Sequence, residues 1–210
     1  NVKLMAEKRF DETLSSKVGA IWFPYEVHPI VKANVWASNA YNKYQREIEP
    51  GNGVSFIPFM VVFSKDSDTS WTKKLPQDAV RLAKQNELPF GAENAYIGQV
   101  PLAEPPVYLP FLFQQFIEHG GVFEQRTIFD FDTLKNLDTL VVNCTGLGAK
   151  SLCNDDELHP MRGQILRCEK SVTPSCVNST HKGALSYVIQ RSTDCIIGGT
   201  DYDHDWNEEI

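Results

Sequence analysis

Apolar positions along the chain change their period several times, and each change marks an element. Val2-Lys3-Leu4-Met5-Ala6 reads as a short strand that ends at the charged cluster Glu7-Lys8-Arg9. From Ala33 to Glu49 the spacing of Trp36, Ala40 and Tyr44 at i, i+4 and i+8 predicts a helix with one apolar face. Gly51-Asn52-Gly53 breaks it, and the aromatic and β-branched run Val54 to Ser64 predicts a strand. Pro76 to Gln85 reads as helical, Ala95 to Val100 as a strand, and Pro101 to Pro106 as a connector. Tyr108 to His119 carries the clearest helical stripe, Leu109, Leu112, Phe113, Phe116 and Ile117, closed by Gly120-Gly121. Val122 to Phe129 then predicts a strand and Leu140 to Cys144 a buried one, led in by Leu137-Asp138-Thr139. Arg162 to Cys168, Leu185 to Gln190 and Asp194 to Thr200 predict three more. Helices and strands interleave, so the class is α/β or α+β, parallel in type near 140–144 and antiparallel later.

Composition narrows what such a fold can do. The 210 residues carry a formal charge of −7. That balance argues against nucleic acid or an anionic membrane as partner, since either needs a basic stripe. The longest apolar run, Phe56 to Phe63, contains Pro58 and falls far short of the roughly 20 residues of a spanning helix. Five cysteines, an odd number with no C-x-x-C, favour a reducing compartment over a disulfide framework. Sequons at Asn143 and Asn178 read as chance matches, the first lying in an apolar run. The chain opens on Asn1 without Met or a basic-then-apolar leader, which reads as a cut chain.

Three motifs have chemistry to offer. Gly146-Leu147-Gly148-Ala149-Lys150-Ser151 follows an apolar run and approaches a dinucleotide fingerprint, but its third glycine is missing. Taken alone it is compatible with either a nucleotide loop or an ordinary turn. Glu7 closes the first strand, where an acidic residue can accept hydrogen bonds from a ribose; taken alone it reads as a solvated strand end. Asp201-Tyr202-Asp203-His204-Asp205-Trp206 alternates carboxylates like a calcium loop, yet Trp206 stands where such a loop needs Gly, so no metal is expected. His28, His119, His159, His181 and His204 form no H-x-x-x-H, and no G-x-S-x-G is present. Plentiful aromatics and carboxylates leave a carbohydrate-cleaving domain open, with no carboxylate pair singled out.

Several segments change the picture when taken together. They are Met5-Ala6-Glu7-Lys8 with Thr13 to Ser16 and Val18-Gly19-Ala20-Ile21-Trp22-Phe23-Pro24-Tyr25; Pro106 to Pro110 with Gly120-Gly121; Asn143-Cys144-Thr145-Gly146-Leu147-Gly148-Ala149; Pro160 to Leu166; and Tyr187-Val188-Ile189 through Ile197-Gly198-Gly199-Thr200 to Asp205-Trp206. In this order they resemble the D-amino-acid oxidase family of FAD-dependent oxidoreductases. The resemblance implies a discontinuous Rossmann-like FAD-binding domain from 1–25 and 120–160. It also implies a substrate domain with a mixed or antiparallel sheet from 26–119 and 161–210.

By position, the resemblance places Glu7 on the adenosine ribose and Lys8, Thr13 and Ser15 along the pyrophosphate. Gly19, Ala20 and Ile21 would run against the isoalloxazine, Thr127 and Ile128 near the adenine, and Cys144, Thr145 and Gly146 under the cofactor. Tyr187 would contact the substrate carboxylate, although a strand Tyr is more often core packing. Phe23 would border the substrate, where a polar residue is frequent in the family; Gly183 stands near the place of a second pocket tyrosine. The implied reaction is oxidative deamination of a D-amino acid with O₂ as oxidant, giving a 2-oxo acid, ammonia and H₂O₂. No side-chain base is nominated. A D-aspartate- or glycine-oxidising relative and a non-catalytic module of the same fold are the alternatives. The family's G-x-G-x-x-G nest would precede this chain and its carboxylate-clamping Arg would follow. A homodimer is allowed, and the expected compartment is cytoplasmic or peroxisomal.

Overall fold

A computed structural model of the chain describes residues 2–24, 27, 29–135, 140–170, 173–180 and 186–209. Tyr25, His28, His181, Gly183, Leu185 and the 137–139 lead-in lie outside the described residues.

The longest apolar runs form the centre. β2 (Val54–Phe63) and β4 (Asn94–Ala103) pair antiparallel over their full lengths, from Val54 opposite Ala103 to Phe63 opposite Asn94. Seven strands make the main sheet, in the order β3 (Val80–Leu82), β4, β2, β8 (Cys176–Asn178), β9 (Ser186–Gln190), β10 (Asp194–Gly198), β7 (Ile165–Glu169). Only the β2–β8 pairing within it is parallel. Pro58 is tolerated in this central strand because β8 bonds only Met60–Val62, leaving that edge of β2 open beside Pro58. The resulting core has Phe59, Val61, Val100 and Val177 at about 1% exposure, with Trp22, Tyr41 and Trp71 packed on them.

α1 (Ile30–Glu47) begins earlier than its sequence period suggests, and its buried positions are Ala33 and Tyr41. Trp36, expected on the core face, is 56% exposed. The small Ala33 and Ala37 bring the helix close to the sheet, where the Ala37 carbonyl accepts from Trp22 Nε1 and Tyr41 donates to the Gln99 carbonyl. α2 (Pro105–Glu118) also starts early, with Pro at its first turn, where a missing N–H costs nothing. The segment 101–106 is therefore no connector: Pro101–Ala103 complete β4 and Pro105 opens α2. The expected helix at 76–85 is a 3-10 turn followed by β3, whose pairing to β4 overrides local propensity.

A second, two-stranded parallel sheet pairs β1 (Lys3–Ala6) with β5 (Val122–Gln125). α2 joins it to the main sheet: Phe113 meets Phe10 and Phe123 at one end, and Tyr108 packs on Val54 and Ala103 at the other. The expected buried strand at 140–144 is corrected here. Its residues lie outside every ladder and are exposed, Leu140 at 91% and Val142 at 72%. An apolar run becomes a strand only where a partner supplies hydrogen bonds, and none of the described residues does so. β6 (Met161–Arg162) pairs antiparallel with β11 (Tyr202–Asp203) in a small third sheet. After Cys144 a 3-10 turn leads into α3 (Ala149–Cys153). Among the described residues no helix is long and apolar enough to cross a membrane.

Candidate functional site

The parallel pair β1–β5 sets the first group of candidates, because ligands of parallel sheets sit beyond the carboxyl ends of the strands. Glu7 is the residue just past β1. The ladder continues there: Arg126 N–H donates to the Ala6 carbonyl at 2.8 Å, and Gln125 Nε2 donates to the Glu7 carbonyl at 3.0 Å. Thr127 and Ile128, expected within a strand, follow its end at Gln125 and so share this rim with Glu7. Glu7, Lys8 and Thr127 are exposed.

Two 3-10 turns, Phe10–Glu12 and Leu14–Ser16, carry the next two candidates. Thr13 donates its hydroxyl to the Phe10 carbonyl at 2.6 Å, which fixes the turn, and Ser15 is exposed. The chain then crosses to the main sheet. Ala103 N–H donates to the Ala20 carbonyl, Ile21 bridges Leu102, and Trp22 N–H donates to the Pro101 carbonyl at 2.8 Å. Ala20 takes a left-handed φ of 50°, a conformation uncommon for a residue with a Cβ. Gly19 is small for a reason internal to the protein: a Cβ there would lie 2.6 Å from Ile189 Cδ1.

Phe23 and Tyr187 both border the cluster built on Trp22, Phe59, Val61 and Trp71. Phe23 makes edge contacts with Phe59 and Trp71, at centroid distances of 5.7 and 5.6 Å. Tyr187 lies across Gly198, where a Cβ would meet its Cζ at 2.2 Å, and burial pushes its phenol up so that it stays protonated at neutral pH. Cys144, Thr145 and Gly146 lie in a separate exposed loop. There Asn143 Oδ1 accepts from the Thr145 amide and hydroxyl, and Gly146 adopts φ 56°. The structure thus joins the candidates into a strand-end rim, a crossing segment with its two aromatic neighbours, and this loop.

A polar network at the β9–β10 turn escaped sequence reasoning. Arg191, its side chain 2% exposed, pairs through Nε and Nη2 with both oxygens of Asp194 at 2.5 and 2.6 Å. Arg167 adds a bond to the same carboxylate, and these guanidinium contacts hold Asp194 below the usual carboxylate range. Arg191 Nη1 also donates to the Val18 carbonyl, beside Gly19. Glu104 Oε2 accepts from the Ser192 amide and hydroxyl, tying the start of α2 to the same hairpin. The legible signal was Arg191-Ser192-Thr193-Asp194, opposite charges flanking a two-residue turn between apolar strands. Arg167 and Arg191 line a cavity of about 540 Å³ with Lys17, Ser16 and Phe10. Burial pushes the thiols of Cys176 and Cys195 up, which makes them packing residues rather than nucleophiles.

Comparison with known proteins adds to this geometry. The family described as FAD dependent oxidoreductase (DAO) matches residues 71–210. A D-amino-acid oxidase of Dictyostelium discoideum is 30% identical over 99% of this chain and 60% of its own length. One from Rubrobacter xylanophilus is 27% identical over 99% of this chain and 64% of its own. The chain therefore spans less than two thirds of these relatives. Among solved structures, glycine oxidase from Bacillus cereus superposes over 100% of this chain and 69% of its own, with a TM-score of 0.67 and 11% identity. L-proline dehydrogenase from P. horikoshii superposes over 99% and 65%, with a TM-score of 0.63 and 16% identity. At these identities the structural likeness speaks for the fold.

Proposed function

We propose, from the premise that this chain belongs to the FAD dependent oxidoreductase family, that it forms the flavin- and substrate-facing part of a D-amino-acid oxidase. The observation that carries the proposal is the strand-end rim, where Glu7 and Thr127 both follow the carboxyl ends of two paired parallel strands. The exposed carboxylate of Glu7 suits ribose hydroxyls, and the exposed Lys8 suits a pyrophosphate. Thr13 and Ser15 would extend that track, Gly19, Ala20 and Ile21 would line the ring, and Thr127 and Ile128 the adenine. Cys144, Thr145 and Gly146 would support the cofactor from their loop. The residues present fit FAD in chemistry, with Glu7, Lys8, Ser15, Thr127 and Thr145 exposed to meet it.

FAD, held by these residues, would supply a hydride acceptor and the route by which the two electrons reach O₂. The chain's own groups bind and orient. Tyr187, whose phenol burial pushes further above its ordinary range, would donate its O–H to the substrate carboxylate. Phe23, wedged against Phe59 and Trp71, would present an apolar wall to the substrate side chain. Loss of hydride from the α-carbon and a proton from nitrogen leaves an imino acid, which water hydrolyses to a 2-oxo acid and ammonia. We read 1–25 with 120–160 as the flavin part, and 26–119 with 161–210 as the substrate part.

The test uses the full-length protein with a panel of D-amino acids that includes D-aspartate, and with glycine. Flavin absorbance together with H₂O₂ release supports the proposal, and the preferred substrate decides between the relatives. Tyr187→Phe keeps the ring across Gly198, so KM should rise about tenfold or more, the worth of one charge-assisted hydrogen bond, with flavin absorbance unchanged. Colourless, FAD-free protein, or an unchanged KM in the variant, refutes the corresponding part.

A further inference from the structure

Asp203 and His204 are neighbours in the chain, His159 stands far from both, and no spacing rule links it to them. The third sheet brings them together. β11 pairs with β6 with Asp203 opposite Met161, and the ladder runs on as His204 N–H donates to the Pro160 carbonyl at 2.9 Å. In that register His159 is the diagonal cross-strand neighbour of Asp203 on the same face. Strand alternation would send His204 to the opposite face. It does not, because His204 takes a left-handed φ of 59°, which swings its ring onto that of His159. The two imidazoles lie 3.7 Å apart and nearly parallel.

Three donor atoms come close as a result, and because the stacked rings hold their lone pairs in parallel planes, one of the exposed imidazoles turns about its side-chain torsions to share an ion. His159 Nε2 and His204 Nδ1 each stand 3.1 Å from Asp203 Oδ1. All three lie within 4.8 Å of one another, and among the described residues this is the sole group of three metal-ligating side chains so placed. Donor-to-donor edges near 3.1 Å match a cation with bonds of about 2.0–2.1 Å, the length Zn²⁺ makes to His and carboxylate. A second observation is independent of this proximity. His159 Nδ1 lies 2.9 Å from the Glu157 carbonyl, which can only accept, so Nδ1 carries a proton and Nε2 is the ring atom turned to Asp203, where a cation would displace any proton that Nε2 shares with the carboxylate. A ring N–H held by a backbone carbonyl is the usual outer support of a metal-bound histidine.

We propose that His159, Asp203 and His204 form a surface site for a late first-row divalent cation, with Zn²⁺ as its simplest occupant. Two imidazole nitrogens and one carboxylate favour Zn²⁺, Ni²⁺ or Cu²⁺ over Mg²⁺ and Ca²⁺, which prefer oxygen. Water completes the coordination, because all three residues are exposed. The bound ion staples the Pro160 strand to the Tyr202–His204 turn, beside the ion pair of Arg162 with Asp205. None of the three residues belongs to the flavin or substrate groups named above, so this site stands apart from the oxidase reading.

The test is calorimetric titration of chelator-treated, full-length holoprotein with ZnCl₂ and, separately, MgCl₂. One Zn²⁺ per chain and no saturation by Mg²⁺ are expected, with flavin absorbance unchanged. At a hundredfold excess over Kd, Zn²⁺ should raise Tm by about 5–10 °C. His159→Gln and His204→Asn should each weaken binding by about tenfold or more; Asn is chosen because it accepts the left-handed backbone. Electron paramagnetic resonance of bound Cu²⁺ should show nitrogen coupling that both variants diminish. Exposed Cys144, Cys153 and Cys168 are the competing ligands, so their triple Ser variant should bind Zn²⁺ unchanged. No saturable Zn²⁺ binding, binding unaffected by both histidine variants, or binding lost with the cysteines overturns the proposal.

Discussion

Asp194→Ala tests whether the Arg191 network holds the crossing segment at Val18 to the β9–β10 hairpin. The carboxylate is the bidentate partner of a guanidinium whose side chain is 2% exposed. Its removal leaves the Arg191 guanidinium with the Val18 carbonyl alone among its observed bonds. An unpaired buried charge costs about 3–5 kcal/mol, against a total stability of about 5–15 kcal/mol. For a chain of this length that lowers Tm by about 6–20 °C. Urea denaturation followed by tryptophan fluorescence and far-UV circular dichroism measures it. The double variant Arg191→Met with Asp194→Leu should recover most of the loss, since both charges leave together. Acid supplies a second check. The folded-state pKa of Asp194 is depressed, so its contribution is present above the unfolded value of about 3.9 and is lost as pH falls through the folded value. The gap between wild type and Asp194→Ala should hold from pH 5 to 8 and close below pH 4. A loss under about 1 kcal/mol, the worth of a surface pair, or a gap that does not close in acid, refutes the reasoning.

Other sites give sharper local tests. Gly19→Ala drives a Cβ into Ile189 Cδ1 and should cost about 1–3 kcal/mol in urea denaturation. Ile189→Val removes that methyl, so adding it to Gly19→Ala should restore part of the loss; strict additivity would refute the contact. Asn52, 1% exposed, takes the Val54 amide and donates to the Glu47 carbonyl between α1 and β2, so Asn52→Ala should cost about 1–3 kcal/mol by the same assay. Glu87 is lowered to about 2, first by its hydrogen bond to Arg81, so that its stabilising contribution holds above the unfolded value and goes as pH falls through about 2. Carboxyl carbon shifts followed by NMR should place its midpoint there, and Arg81→Ala should move it upward.

Much of the local order could be read directly from residue patterns. The run at 54–64 reported β2 and the stripe from Tyr108 reported α2, although Leu112 and Ile117 of that stripe are exposed and the helix buries Pro105 and Tyr108 instead. The order of short motifs from Glu7 to Trp206 indicated the family without any distance. Where sequence expectation missed, a partner far away in the chain was decisive. Residues 76–85 carry helical spacing, yet β4 offers a free edge, and β3 pairs with it. Residues 140–144 carry strand spacing, yet lie exposed outside every ladder.

The candidate site divides in the same way. Residue type at Glu7, Gly19 and Tyr187 was visible in the sequence, and with it the flavin chemistry those types suit. Their grouping was not, because it depends on β1 meeting β5 and on Ile21 bridging Leu102. Likewise, Arg191 and Asp194 showed their charges, while their burial depended on packing between hairpin and sheet. His159 gained its neighbours only when β6 and β11 aligned. A one-dimensional pattern records what each residue prefers, and hydrogen-bond pairing and burial arise between segments. The sequence by itself therefore determined the residue chemistry and most elements, and the tertiary structure decided which chemistries meet.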